Sequence, residues 1–364
     1  MSNSTDSILN ADRINYLNIG LMVISCAVAF FIPFELFLFA YAVMGPLHYL
    51  TEISWLHERK YFSKGKYDFI FLSLSAVALF ITAYVLGKPD VMKDLGADPV
   101  DNSTIRTWST AFVYIAFFAA LAMILLKSAF HRFIAVMIIL VSALVTRDGI
   151  IFFSVFLPTL VHVYIFTGLF MLYGALKGRS RSGYIVCILF VLIPLSFVFL
   201  HPAPMAMTIW AQKSYPYFDA LNMYMLNWKD SSVYQIPITT YNAQETMHFG
   251  IYQSDIGITF MRFIAFAYTY HYLNWFSKTT VIKWHNVPKV RLAVIIVLWI
   301  AAVGFYYYDY KLGFDVLFLL SFLHVFLEFP LNHVTLVGIY TESKSILSGK
   351  PVQAVAPVAK GKKK

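Results

Sequence analysis

The chain has 364 residues, 59% of them hydrophobic and only 13% charged, with a formal net charge of +9 and a mean hydropathy of +0.68. A soluble domain is about half apolar and about one-quarter charged, so the composition excludes a soluble fold and points to an integral membrane protein. The excess Lys and Arg fall in short segments between apolar stretches, the pattern that orients membrane helices, so the expected partner is the lipid bilayer and not nucleic acid.

A helical span needs about 20 mostly apolar residues. By that measure the chain predicts an all-α, polytopic helical bundle with about ten transmembrane segments, near residues 15–33, 36–56, 67–86, 108–126, 130–146, 149–175, 183–200, 256–277, 290–308 and 313–338. The links between the fourth, fifth and sixth segments are very short, so a count of eight or nine is a competing parse. The leading polar segment lacks a small-residue cleavage site before the first apolar run, which predicts that the first span is retained. Cys26 and Cys187 lie in separate apolar stretches without metal-type spacing, which argues for neither a disulfide framework nor a zinc site.

Charge gives the orientation, because short cytoplasmic loops hold the Lys and Arg. Placing both termini in the cytoplasm puts Arg59, Lys60, Lys64 and Lys66, then Lys127 and Arg132, then Lys177, Arg179 and Arg181, then Lys278, Lys283, Lys289 and Arg291 on that side. The stretch holding Asp90, Asp94, Asp98 and Asp101 falls on the other. The whole chain, 1–364, reads as a single membrane domain. Residues 201–255 are too long for a turn and too aromatic for a linker; they are expected to form an extracytoplasmic cap, with Trp210, Tyr215, Tyr217 and Trp228 near the interface. Residues 345–364 read as a disordered basic tail.

The candidate chemistry lies in four histidines inside the spans: His48, His162, His271 and His324. Each stands in a segment running from outside to inside, roughly 12 to 15 residues from its outer end, or about 17–23 Å deep at 1.5 Å per residue, so the four share one plane. Imidazoles from several helices at one depth are how helical bundles build metal sites, and neutral imidazole suits iron, copper, zinc and nickel. Glu52 and Glu328 stand one helical turn after His48 and His324, where a carboxylate would orient a ligating imidazole through its other ring nitrogen or, as the lesser alternative, serve as a further ligand. Asn274 is placed to do the same for His271. A lone intramembrane histidine is as readily an interhelical hydrogen bond; the coincidence of depth favours the shared site. His57, His131 and His285 fall at cytoplasmic ends, and His201 and His248 in the 201–255 connection. The 34 Phe, 24 Tyr and 7 Trp are either core filler or the walls of a channel for a long conjugated ligand.

At GPLHYLTE and LHVFLEFP the chain resembles the bacterial and archaeal membrane β-carotene dioxygenases of the Brp/Blh type. His48 with Glu52, His271, and His324 with Glu328 match, in order, three places of that family's pattern. Three departures stand beside the match. Trp275 occupies the place of the family's second histidine in the two-thirds segment. His248, Phe249 and Gly250, which repeat the letters of a bundle motif of the family, fall in the outer connection, so His162 is the better candidate for the remaining ligand. The 201–255 segment makes this chain longer.

The resemblance implies a non-haem iron oxygenase in a bacterial inner membrane. Fe(II) would be held by His48, His162, His271 and His324, with Glu52 and Glu328 orienting the ligands, and O2 would be the co-substrate. The substrate would be a lipophilic carotenoid, isoprenoid or other polyene cleaved at a double bond. Two other readings compete: a proton-coupled transporter working through the His/Glu pairs, and a haem-binding electron carrier with two of the histidines as axial ligands.

Overall fold

A computed structural model describes residues 2–145, 152–229, 248–278 and 282–349, and no strand occurs among them. The main helices are α1 (Ser2–Phe31), α2 (Pro33–Glu58), α3 (Asp68–Leu86), α4 (Asn102–Leu125), α5 (Ala129–Val145) and α6 (Val155–Gly178). They continue as α7 (Arg181–Phe199), α8 (Asp219–Lys229), α9 (Asp255–Ser277), α10 (Lys289–Tyr308) and α11 (Tyr310–Leu347). Among the described residues, 8 helices are long and apolar enough to cross a membrane: α1 to α4, α6, α7, α10 and α11. Helix α5 is shorter but apolar. Residues 146–151, between α5 and α6, and those of the tail from 350 on lie outside the described residues; α11 itself runs past residue 345 to Leu347.

Helix α9 is the remaining predicted span, and its sequence differs from the rest for a physical reason. It carries Asp255, Arg262, His271 and Asn274, yet Ile264, Ala265, Phe266 and Tyr270 are fully buried, because α1, α2, α6 and α7 surround it. A central helix needs no lipid-facing stripe and can hold polar groups that its neighbours satisfy. Helix α10 is the opposite case: only 17% of its apolar window is buried, and Val290, Val294, Val297 and Ile300 face outward.

Side-chain caps set where several helices begin. Asp101 accepts from Thr104 N–H at α4, Ser180 from Gly183 at α7, Ser254 from Gly257 at α9, and Asp309 from Leu312 at α11. Each satisfies a backbone donor that a helix start leaves open. Three helices are locally underwound to a π pattern: over Ala40–Met44 in α2, over Ile81–Leu86 in α3 and over Phe152–Phe166 entering α6. Pro46 and Pro158 lie just after the first and inside the last. Proline removes an amide donor and crowds the preceding turn, and a π turn is one way to absorb that; such turns recur at functional sites.

The described part of the 201–255 connection packs on one end of the bundle. Met205 N–H donates to Phe31 O (2.7 Å), Thr208 N–H donates to Glu35 (2.8 Å), and buried Arg262 reaches the carbonyls of Phe30 and Pro202. Trp210 and Tyr217 are partly exposed, as expected of an interfacial segment. Tyr215 departs from that expectation: it is fully buried, its hydroxyl bonded to Asn222 and its ring edge-on to Phe34 and Phe37. The side chain of Trp228 lies outside the described residues. Apolar side chains form two clusters, one centred on α1, α7, α9 and the cap, the other on α3, α4 and α11. Helix α6 sits at their seam, with Val163 in the first and Leu157 and Phe166 in the second.

Candidate metal centre

The four intramembrane histidines meet at that seam. His48, His162, His271 and His324 are all buried, and their rings form a closed quadrilateral with centroid separations of 4.6 Å (His48 to His271), 5.0 Å (His271 to His162), 5.1 Å (His162 to His324) and 5.5 Å (His324 to His48). The depth counted along each helix is therefore matched by lateral convergence. Adjacent rings cross at 62 to 85°, edge to face and not stacked. Ligand atoms of His48, His162 and His324 all lie within 4.8 Å of one another. His271 Nε2 stands 3.0 Å from His48 Nε2, and His162 Nε2 stands 3.2 Å from His324 Nε2.

The spacings of His48, His162 and His324 suit ligands on one ion, whereas His271 and Glu52 fall outside that mutually close group of three. Two nitrogens each about 2.1 Å from a metal are about 3.0 Å apart at a right angle and about 3.4 Å apart at the tetrahedral angle. Nδ1 of His48 has no hydrogen-bond partner among the described residues, and buried polar atoms are seldom left so.

The two carboxylates differ. Glu52 Oε2 stands 3.1 Å from His48 Nε2, the nitrogen that also meets His271. Glu328, expected to serve His324 on its own helix, instead stands 2.9 Å from Nδ1 of His162 on α6. The side chain at position 328 leaves α11 toward the neighbouring helix, and helical spacing does not show which neighbour that will be. Both Oε2 atoms have no other partner among the described residues. Glu52 thus lies on the ligand side of the site. Glu328 lies behind His162, where a carboxylate takes a ring proton and fixes which nitrogen faces the metal. The role of imidazole orienter fits Glu328 on His162, whereas Glu52 meets the inward nitrogen of His48.

Several partners carried no signal in the sequence. Thr167 Oγ1 shares a 2.7 Å hydrogen bond with Nδ1 of His271 and so aims Nε2 into the site. Thr167 is five residues after His162, off the α-helical face of that histidine, and the π turn ending at Phe166 brings it round. Trp275 packs edge-on at 5.3 Å from His48 and donates its Nε1–H to Thr51 Oγ1 at 3.0 Å, occupying with an indole the place of a further histidine. Asn274 is buried near the site with an unpartnered Oδ1 and makes no described bond to His271. Asn332, one turn beyond Glu328, is fully buried with both amide atoms unpartnered. His333 is buried too, but Nε2 bonds Phe117 O at 3.0 Å, a structural contact. His57, His131, His201, His248 and His285 are exposed and remote from the cluster.

On the cap side of the imidazoles, a cavity of about 60 Å3 is lined by His162, His324, Tyr41, Tyr268, Tyr272 and Phe322, among others. That is room for a few waters or one diatomic molecule, far below the roughly 300–1,000 Å3 of a drug-sized ligand site. Comparison with family models, with curated proteins and with solved structures finds no match for the chain.

Proposed function

We propose that this protein is a membrane non-haem iron oxygenase acting on a lipophilic polyene. Its ten helices would span a bacterial inner membrane, with both termini and the basic loops in the cytoplasm. The observation that carries this reading is the ring of four buried imidazoles with a carboxylate on its ligand side. His48, His162 and His324 would hold Fe(II), with His271 as fourth nitrogen and Glu52 as an oxygen donor. Bound iron would supply the activation of O2.

The chain's own residues do the rest. Glu328 and Thr167 orient His162 and His271. The apolar shell of Val163, Phe166, Val325 and Phe326 keeps water out and stiffens the ligand set. The small cavity suits O2, and the rings of Tyr41, Tyr268, Tyr272 and Phe322 offer flat apolar walls to a conjugated chain, which enters only if some of those side chains turn aside. The haem reading is disfavoured by size. Two axial nitrogens on one iron lie about 4 Å apart, at twice a metal–nitrogen bond of about 2.0–2.1 Å; the paired Nε2 atoms here are at 3.0 and 3.2 Å with no macrocycle-sized gap.

The test is to load nanodisc-embedded protein with Fe(II), add β-carotene, a hydroxylated carotenoid and an acyclic polyene in turn under 18O2, and search for aldehydes or ketones by mass spectrometry. Carbonyl products carrying the label are expected from at least one substrate. Iron-loaded protein that cleaves none of them would remove the oxygenase reading and favour proton-coupled transport through the same carboxylates.

A further inference from the structure

Oxidisable rings continue from the histidines to the surface of the cap without a long gap. Tyr272 packs against His48 (5.2 Å between centroids) and His271 (5.3 Å). From it the centroid steps are 6.4 Å to Tyr268, 6.2 Å to Tyr41, 6.3 Å to Tyr306, 4.8 Å to Tyr310 and 5.9 Å to Trp210. Trp210 is 44% exposed, whereas Tyr268, Tyr272, Tyr306 and Tyr310 are buried.

The residue types are as informative as the spacing. Around the second apolar cluster, on the other side of the site, the rings are mostly phenylalanine, as at Phe318, Phe322, Phe326 and Phe329. Phenylalanine fills the volume of tyrosine without a hydroxyl to desolvate, and a buried hydroxyl is costly unless satisfied. Tyrosine is nevertheless placed at each link on the cap side. Tyrosine and tryptophan give up an electron far more readily than phenylalanine, and transfer slows exponentially with distance, so several short steps outrun one long one.

The geometry points to a hole-transfer relay, Tyr272–Tyr268–Tyr41–Tyr306–Tyr310–Trp210, that drains oxidising equivalents from the buried site to the cap surface. This purpose rests on the oxygenase reading. When O2 is reduced at the site with no polyene present, the strong one-electron oxidant left there takes an electron and the O–H proton from Tyr272. Tyr268 then refills Tyr272, and so on outward; each phenol loses its proton as it is oxidised and regains one as it is reduced. A small-molecule reductant of the thiol or ascorbate class supplies the final electron and proton at Trp210. Each turn of the relay carries one electron inward and leaves the side chains unchanged.

The path is tested without metal, so that its failure and that of the oxygenase reading are separable. Metal-free protein in nanodiscs is exposed to flashes of a water-soluble ruthenium photo-oxidant with a sacrificial quencher. Tyrosyl radicals are followed by electron paramagnetic resonance, and oxidised residues are mapped by mass spectrometry. Oxidation of the inner tyrosines Tyr41, Tyr268 and Tyr272 is expected in the wild type and is lost in Trp210→Phe and in Tyr306→Phe, while surface Tyr307 and Tyr308 are oxidised equally in all three. Two different links are cut, so misfolding of one variant, checked by its melting temperature, does not decide the result. Unchanged oxidation of the inner tyrosines in both variants, or none in the wild type, would overturn the relay.

Discussion

Glu52 and Glu328 occupy the same place in the sequence pattern, one turn after an intramembrane histidine, and different places in the structure. Glu52 turns back to its own helix and meets His48 at the nitrogen that faces the centre. Glu328 crosses to α6 and meets His162 at the nitrogen that faces away. Equal spacing along a helix fixes the face a side chain occupies; the neighbour on that face decides whether it is a ligand or a support. One carboxylate thus stands beside the inward nitrogen of an imidazole and the other beside an outward one.

The contrast is broken most directly by exchanging each acid for its amide. Glu52→Gln removes a charged oxygen from beside the inward nitrogen of His48 and is expected to cause the larger loss of iron affinity, together with a changed Mössbauer spectrum of the 57Fe(II)-loaded protein. Glu328→Gln is expected to weaken affinity by about 10–100-fold, the usual effect of losing an outer partner of a ligating histidine, with the spectrum retained. Identical behaviour of the two variants would show that the positional difference has no chemical meaning.

A smaller effect is expected at Thr167. Thr167→Val keeps the shape but removes the hydrogen bond to His271, costing about 0.5–1.5 kcal/mol of stability. Iron affinity should fall by less than in Glu328→Gln, because His271 is one of four imidazoles and retains its packing against Tyr272. Isothermal titration of the four proteins with Fe(II) under anaerobic conditions ranks them. A Thr167→Val loss as large as that of Glu52→Gln would make His271 the main anchor instead.

The smallest effect concerns the cap. Burial pushes the Asp219 carboxyl up to about 6, against an opposing hydrogen bond from Tyr252 and the nearby His248. A carboxyl raised in the folded state holds its proton there when the unfolded chain has lost it. Its contribution to cap stability is therefore full near pH 4 and declines as pH rises to about 6. Hydrogen exchange over residues 209–229, corrected for intrinsic rates, should show protection falling across that window, and Asp219→Asn should flatten the profile. Protection that rises from pH 4 to 6 would mean that Asp219 is held ionised.

The sequence was most legible where the bilayer itself dictates pattern. Apolar runs placed the helices because a span must be about 20 residues long, and depth counting put four histidines on one level because rise per residue is constant. What remained hidden depends on lateral facing and on departures from regular helix. The π turns around Pro46 and Pro158 shift the register, bringing Thr167 to His271. The partner of Glu328 is set by which helix lies beside α11. Burial of Tyr215 depends on how the cap folds back onto Phe34 and Phe37. Helix α9 was visible as a helix, but nothing in its spacing marked it as the one the others surround.

The most direct test of the central claim is the metal content of protein purified in detergent after anaerobic incubation with Fe(II), compared among wild type, His48→Ala and His324→Ala. The two residues sit on different helices and contact each other only at the proposed centre, with ring centroids 5.5 Å apart. About one iron per chain in the wild type, lost in both variants while their helical content is unchanged, is the predicted result. A well-folded wild type that takes up no iron, or variants that keep it, would contradict a metal centre and return the four histidines to hydrogen bonding between helices.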